Sequence, residues 1–171
     1  MTIAFEKTER IEVYRFNPLI TIGVPLFAIV LQSFIPIKLR IFGIFDLPLL
    51  ITIFFAVARR NQISGLLTGA AIGLLQDALT HQPLGIYGIS KTLVAYGASS
   101  LGAKIDVENP GTRVLMVFGF YFIHNGIYWL VARWLVRIDL QWLWMHELRG
   151  AIANAILGVM LFHLLDKVKR G

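Results

Sequence analysis

Apolar residues fill six stretches of this chain, and short polar segments separate them. A helix needs about 20 mostly apolar residues to cross the roughly 30 Å hydrocarbon core of a bilayer. The predicted membrane-spanning helices cover residues 17–36, 41–58, 63–80, 83–103, 114–135 and 148–165. The pattern therefore predicts an all-α membrane protein with six transmembrane helices in one compact bundle.

The composition favours the same class of protein. The chain is 57% hydrophobic and 15% charged, whereas a soluble domain is about 45–50% apolar and 25% charged. It contains no cysteine, which excludes disulfides and thiolate metal sites. The net charge of +6 is better explained by orientation signals and anionic lipid headgroups than by nucleic acid.

The distribution of lysine and arginine predicts the orientation. If the N-terminus is inside, ten basic residues lie on the inner side and five on the outer side. The inner set is Lys7, Arg10, Arg15, Arg59, Arg60, Lys104, Arg113, Lys167, Lys169 and Arg170, and the outer set is Lys38, Arg40, Arg133, Arg137 and Arg149. The positive-inside rule then places both termini in the cytoplasm. We expect a cytoplasmic segment at residues 1–16, a transmembrane domain at 17–166 and a basic cytoplasmic tail at 167–171.

Four polar residues are predicted to gather in the outer half of the bundle: Asp46, Asp77, Lys91 and Asn154. A charge at the centre of a membrane helix costs about 2.5–3.5 kcal/mol, so such groups face protein or a wet cavity and form pairs. Asp77 and Lys91 lie at matched depth on consecutive helices. We therefore expect a salt bridge between them, with Asp46 or Asn154 close by.

Structural roles explain these residues equally well at this point. The Asp77–Lys91 pair could simply clamp a helical hairpin, and Asp46 could cap a helix start. His124 and Asn125 are typical of interhelical hydrogen bonding. The histidines lack metal-ligand spacing, and no nucleophile–base motif or phosphate-binding loop is present. The sequence thus favours a protein without catalytic activity, metal or cofactor.

A stripe of small residues marks the third predicted helix. Gly65, Gly69 and Gly73 recur every four residues, which places them along one face of the helix. Such a face lets another helix backbone approach closely. Two occupants are possible at this point: a neighbouring helix of the same chain, or the helix of a partner protein.

The central block, "FDLPLLITIFFAVARRNQISGLLTGAAIGLLQDALTHQPLGIYGISKTLVAYGASSLG", covers residues 45–102 and resembles the MreD family of bacterial rod-shape proteins. The family pattern is an Asp near a Pro, a basic pair, a Gly-rich span ending in Asp, a Pro-Leu-Gly loop and an Ala-Tyr pair. The matching positions are Asp46 with Pro48, Arg59–Arg60, Gly65 through Asp77, Pro83–Leu84–Gly85 and Ala95–Tyr96. The usual order is Pro before Asp, which makes Asp46 the departure from the pattern.

The resemblance implies a non-enzymatic scaffold in the bacterial cytoplasmic membrane. Such a protein binds MreC and belongs with MreB, RodA and the elongation transpeptidase to the complex that directs lateral peptidoglycan synthesis. The MreD fold is similar to the substrate-binding subunits of ECF transporters, which implies an alternative: a subunit that captures a vitamin. A third possibility is a lipid-binding or flippase-like bundle. For all three kinds of protein, the expected partners include membrane lipids and exclude nucleic acid.

Overall fold

The computed structural model describes residues 16–167, and in that range it contains helices and no strands. The α-helices are α1 (Pro18–Lys38), α2 (Leu47–Arg59), α3 (Gln62–Leu79), α4 (Ile86–Gly102), α5 (Pro110–Leu130) and α6 (Trp144–Asp166). The prediction of six helices in one bundle is confirmed. The predicted cytoplasmic residues Lys7, Arg10, Arg15, Lys169 and Arg170 lie outside the described range.

Two predicted helices change character near one end. The stretch 41–58 is divided into a 3₁₀ turn, Arg40–Ile44, and the helix α2. Asp46 explains the break, because its Oδ1 accepts a hydrogen bond from the Leu49 backbone N at 2.9 Å and so caps a new helix start. Pro48 supports the start, because the first turn of a helix leaves backbone N–H groups unbonded in any case. At the end of α5, residues Val131–Leu135 form a π-helical turn.

Four helical segments are long and apolar enough to cross a membrane by length and composition. They are Pro18–Lys38, Arg40–Arg59, Pro110–Leu135 and Trp144–Asp166. The helices α3 and α4 are shorter, and they carry the glycine stripe and most of the buried polar side chains of the central block. Crossing by α3 and α4 therefore remains a prediction.

The helix α2 forms the centre of the bundle. Every residue from Pro48 to Ala58 is buried, and each of the other five helices contacts α2. A helix that is hydrophobic all round belongs in an interior, and α2 has this pattern. The consequence for the site is that the start of α2, with Asp46, lies where several helix ends meet.

The glycine stripe packs inside the bundle against α4. Gly65, Gly69 and Gly73 are all buried. A Cβ added at Gly69 would lie 2.5 Å from the carbonyl oxygen of Lys91, and one at Gly73 would collide with the carbonyl group of Tyr87. The predicted close helix contact is confirmed, and its occupant is a helix of the same chain. The alternative that this face receives the helix of a partner protein is wrong.

The two ends of the bundle are tied differently. At the end of α2 opposite Asp46, the guanidinium group of Arg59 donates to Ser64 Oγ and Thr68 Oγ1, both at 3.1 Å, and to Thr21 Oγ1 at 2.9 Å. These bonds join α1, α2 and α3. We call the other end, where α2 begins, the Asp46 end.

Candidate functional site

A buried ion pair lies at the Asp46 end. The ammonium group of Lys91 donates to Asp46 Oδ2 at 2.9 Å and to Oδ1 at 3.2 Å. Lys91 is fully buried, and the side chain of Asp46 is 17% exposed. Asp46 can reach α4 because it caps the start of the central helix α2. The charge of Lys91 is thus neutralised by Asp46, the cap of α2, and not by Asp77 on the preceding helix α3.

Asp77 has a different role from the one predicted. Its Oδ2 accepts hydrogen bonds from the backbone N of Gly85 at 2.9 Å and of Gly88 at 3.1 Å, and its Oδ1 from Tyr87 N at 3.0 Å. The first backbone N–H groups of a helix have no partner within it, so Asp77 caps α4 from the end of α3. The predicted Asp77–Lys91 salt bridge is therefore wrong, although Asp77 lies at the predicted end of the bundle.

Asn154 fixes α6 against the start of α2. Its Oδ1 accepts from the backbone N of Asp46 at 2.8 Å. Its amide nitrogen donates to the carbonyl oxygens of Ile44 at 2.8 Å and Gly150 at 2.9 Å. Because Asn154 is fully buried, its bonds to Asp46 and Ile44 satisfy polar backbone groups that the break before α2 leaves open, whereas its bond to Gly150 lies within α6. Asn154 thus contacts the backbone of Asp46 at the end of the bundle where the polar cluster was predicted.

His124 extends the network into α5. Its Nε2 lies 3.2 Å from Lys91 Nζ, and its Nδ1 lies 3.1 Å from Asn125 Oδ1. An ammonium group can only donate, so Nε2 accepts and Nδ1 carries the hydrogen, an assignment that follows from the hydrogen-bond network. Asn125 in turn donates to Glu147 Oε2 at 2.7 Å. The interhelical role predicted for His124 and Asn125 is what the structure shows.

Together, Asp46, Lys91, His124 and Asn154 form what we call the Asp46 clamp, with one residue each from the starts or interiors of α2, α4, α5 and α6. Buried charges are tolerated when they are paired and hydrogen-bonded, and here the donors and acceptors satisfy one another. Within residues 16–167, no three His, Asp or Glu side chains are placed to hold a metal ion. The arrangement fixes the positions of the four helices relative to one another.

A cavity of about 260 Å³ adjoins the clamp, and we call it the Asp46 cavity. Its walls come from α1, α3, α4, α5 and α6, from the cap of α2, from the 3₁₀ turn before α2 and from the non-helical segment between α5 and α6. That segment is held by a hydrogen bond from Trp129 Nε1 to the Leu140 carbonyl oxygen at 2.9 Å. The lining includes Asp46, Gln76, Tyr87, Tyr121, Trp142 and Glu147.

The sequence contained a signal for this cavity that the predicted cluster did not use. Tyr121, His124, Asn125 and Tyr128 follow the spacing i, i+3, i+4, i+7, which places them on one face of a helix. In the structure, Tyr121, Asn125 and Tyr128 line the cavity, and His124 joins the clamp beside it. A polar and aromatic face on a predicted membrane-spanning helix is expected to turn away from lipid and towards the interior of the bundle.

Comparison with known proteins gives one match. A family model described as "rod shape-determining protein MreD" matches residues 14–168, which is nearly the whole chain. No curated protein and no solved structure matches the chain. The family match and the long apolar helices make the chain a membrane protein with a role in the rod-shape complex. The chain belongs to the MreD family of rod shape-determining proteins.

Proposed function

We propose that this protein is a non-enzymatic scaffold of the bacterial rod complex that contacts MreC directly. The observation that carries the proposal is the family match over residues 14–168. Through MreC the protein would associate with MreB, RodA and the elongation transpeptidase, and so help to direct lateral peptidoglycan synthesis. The clamp supports a scaffold role, because its polar groups hold helices together and leave no reactive group exposed.

The surface of the bundle also supports this role. On α1, large apolar side chains such as Leu19, Phe27, Phe34 and Ile37 are well exposed. In a membrane, such faces meet lipid tails or the helix of another protein, and van der Waals packing then decides which. A scaffold needs a lateral surface of this kind for the single membrane helix of MreC.

Co-purification tests the scaffold proposal. We expect tagged protein, extracted in mild detergent, to retain MreC, whereas an unrelated single-helix membrane protein expressed at the same level is lost. Depletion of the protein should round rod-shaped cells, and re-expression should restore their shape. A normal rod shape on depletion together with loss of MreC on extraction would contradict the proposal.

The Asp46 cavity favours one second candidate, the substrate-capturing subunit of an ECF-type vitamin transporter. A transporter subunit needs a pocket for its solute and an attached ATPase module. The same purification separates the two functions, because a transporter subunit would bring down ATPase subunits in place of MreC. Uptake of a labelled vitamin that depends on this chain would favour the second candidate.

We further propose that all six helices cross the cytoplasmic membrane, with both termini in the cytoplasm. The excess of basic residues on the predicted inner side supports this orientation. Reporter fusions after Gly171 should then report the cytoplasm, and fusions at His81, between α3 and α4, should report the exterior. Exchange of the two signals would show the opposite orientation, and a cytoplasmic signal at both sites would show that α3 does not cross.

A further inference from the structure

We infer that the end of the bundle opposite Asp46 binds the phosphate group of an anionic phospholipid, such as phosphatidylglycerol. The binding groups are the guanidinium group of Arg59 and the hydroxyl groups of Thr21, Ser64 and Thr68, and we call these four residues the Arg59 cluster. The inference goes beyond the scaffold role, because it is drawn from the position of the cluster along the helices and from its hydrogen bonds. It holds for either orientation of the protein in the membrane.

The Arg59 cluster lies at the depth of lipid headgroups. Arg59 is the last residue of Arg40–Arg59, a segment long and apolar enough to cross a membrane. Thr21 lies in the first turn of α1, and Ser64 and Thr68 lie in the first two turns of α3. All four residues are half-buried, so the cluster is accessible from the surface. Because a spanning helix ends where the hydrocarbon core ends, lipid phosphates lie within reach of these side chains.

The positive charge of Arg59 has no carboxylate partner in the described part of the chain. The ion pairs within residues 16–167 involve neither Arg59 nor the adjacent Arg60. Two neighbouring cations therefore stand at the end of the central helix with no acidic side chain paired to them in that range. Basic residues at the membrane surface attract anionic lipid headgroups, so the charge favours an anion as the ligand.

The hydrogen bonds of the cluster favour a ligand that accepts. A guanidinium group carries five N–H donors and no acceptor. Three of those donors bond the hydroxyl oxygens of Ser64, Thr68 and Thr21, which leaves the N–H of Nε and one N–H of Nη2. Because Arg59 can only donate, each hydroxyl oxygen accepts from it and keeps its own hydrogen to donate.

The three hydroxyl groups of the cluster also differ from those of Thr52 and Thr92. These two threonines donate to the carbonyl oxygen four residues earlier in their own helix. For the hydroxyl hydrogens of the Arg59 cluster, no acceptor is found within residues 16–167. The cluster thus offers N–H and O–H donors around a positive charge. A phosphate group has several acceptor oxygens and a negative charge, and hydrogen bonds between such charged partners are the strong ones.

Apolar side chains next to the cluster favour a phospholipid over a free phosphate ion. Ile22 directly follows Thr21 on α1, Leu67 directly precedes Thr68 on α3, and both are well exposed. Exposed apolar side chains of this kind meet lipid in a membrane protein. A phospholipid carries its phosphate next to its acyl chains, which matches donors placed beside exposed apolar side chains.

Lipid titrations of the purified full chain in dodecylmaltoside test the inference. The probes are dioctanoyl phosphatidylglycerol, dioctanoyl phosphatidylcholine and glycerol phosphate, and native mass spectrometry gives the dissociation constant of each. We expect phosphatidylglycerol to bind at least about tenfold more tightly than phosphatidylcholine, the factor expected for two basic residues beside an anionic lipid. Equal binding of the two lipids would overturn the inference. Glycerol phosphate that binds as tightly as phosphatidylglycerol would also overturn it, because the acyl chains would then contribute nothing.

Arg59→Gln removes the charge of the cluster and should weaken phosphatidylglycerol binding at least about tenfold, the factor for one hydrogen bond to a charged group. The matched control is Arg149→Gln, which makes the same change of charge. Arg149 is an exposed residue of α6 and takes part in no ion pair within residues 16–167. This control should bind phosphatidylglycerol as the parent does.

Arg60→Gln provides a second test if Arg59→Gln does not fold, since the Arg60 side chain makes no hydrogen bond within residues 16–167. We expect it to weaken phosphatidylglycerol binding about fivefold, the effect of one basic residue near an anionic lipid surface. The thermal unfolding midpoint without added lipid shows which variants are folded. If every folded variant at Arg59 or Arg60 binds phosphatidylglycerol as tightly as Arg149→Gln, the inference is wrong.

Discussion

Gly69→Ala is expected to destabilise the bundle by about 1–3 kcal/mol, the usual range for overpacking a close contact. The sign is opposite to the normal effect, because alanine in a helix is about 1 kcal/mol more favourable than glycine. At this position the new Cβ would lie 2.5 Å from the carbonyl oxygen of Lys91 and 2.8 Å from the Cβ of Ala95. These are backbone and first side-chain atoms of α4, which cannot swing aside. Denaturant titration of the detergent-solubilised protein measures the free energy of unfolding.

Gly119→Ala is the matched control. Gly119 also lies inside a long helix, α5, but a Cβ there would meet nothing within 4 Å. We expect this variant to be as stable as the parent or slightly more stable. If the glycine face affects MreC binding only because it stabilises the bundle, Gly69→Ala should reduce both the free energy of unfolding and the amount of MreC retained. Equal free energies of unfolding for the two alanine variants would contradict the close α3–α4 contact.

Removing one partner of the Asp46–Lys91 pair should have the second large effect. Asp46→Asn leaves the buried ammonium of Lys91 without its counter-charge, and breaking a buried pair in this way costs about 3–5 kcal/mol. Lys91→Met should cost less, because Asp46 keeps its bond from the Leu49 backbone N and part of its exposure. The double variant should recover part of the lost free energy, since no uncompensated charge then remains. A double-mutant cycle of unfolding free energies measures this coupling.

Two comparisons make the cycle decisive. Asp139→Asn removes a partner from the Arg133–Asp139 pair, which is long at 3.5 Å and exposed at 46% and 91%. Exposed pairs contribute little, so this variant should change stability by less than about 0.5 kcal/mol. A cycle between Asp77 and Lys91 should show weaker coupling than the cycle between Asp46 and Lys91. Stronger coupling of Lys91 to Asp77 than to Asp46 would favour the Asp77–Lys91 salt bridge that the sequence predicted.

Hydropathy and residue spacing predicted much of the fold. The six helices follow from the apolar stretches, and the buried face of α3 follows from Gly65, Gly69 and Gly73. The cap formed by Asp46 was among the interpretations that the sequence left open, because Asp directly before Leu47–Pro48 is typical of a helix start. Each of these features is local, and its physical cause lies within about one or two helical turns of the chain.

The partners within the site could not be predicted in the same way. Depth along the membrane normal placed Asp77 and Lys91 at one end, but it says nothing about the direction in which each side chain leaves its helix. Lys91 faces the central helix α2, and Asp77 faces the open backbone N–H groups at the start of α4. Asn154 bonds a backbone group 108 residues away, a distance over which no local pattern carries information.

The two kinds of contact at this end of the bundle differ in the length of chain that they close, and this difference suggests an order of assembly. The carboxylate of Asp77 bonds groups only 8 to 11 residues ahead, whereas the bonds from Lys91 to Asp46 and His124 span 45 and 33 residues. Closing a short loop costs less entropy than closing a long one, and local contacts form faster. The α3–α4 hairpin is therefore suited to form as an early unit, with its capping carboxylate and its glycine seam already in place. Docking of that hairpin onto α2 then brings Lys91 to Asp46. Formation of this ion pair therefore marks complete assembly of the bundle, whereas formation of the hairpin alone leaves the pair open.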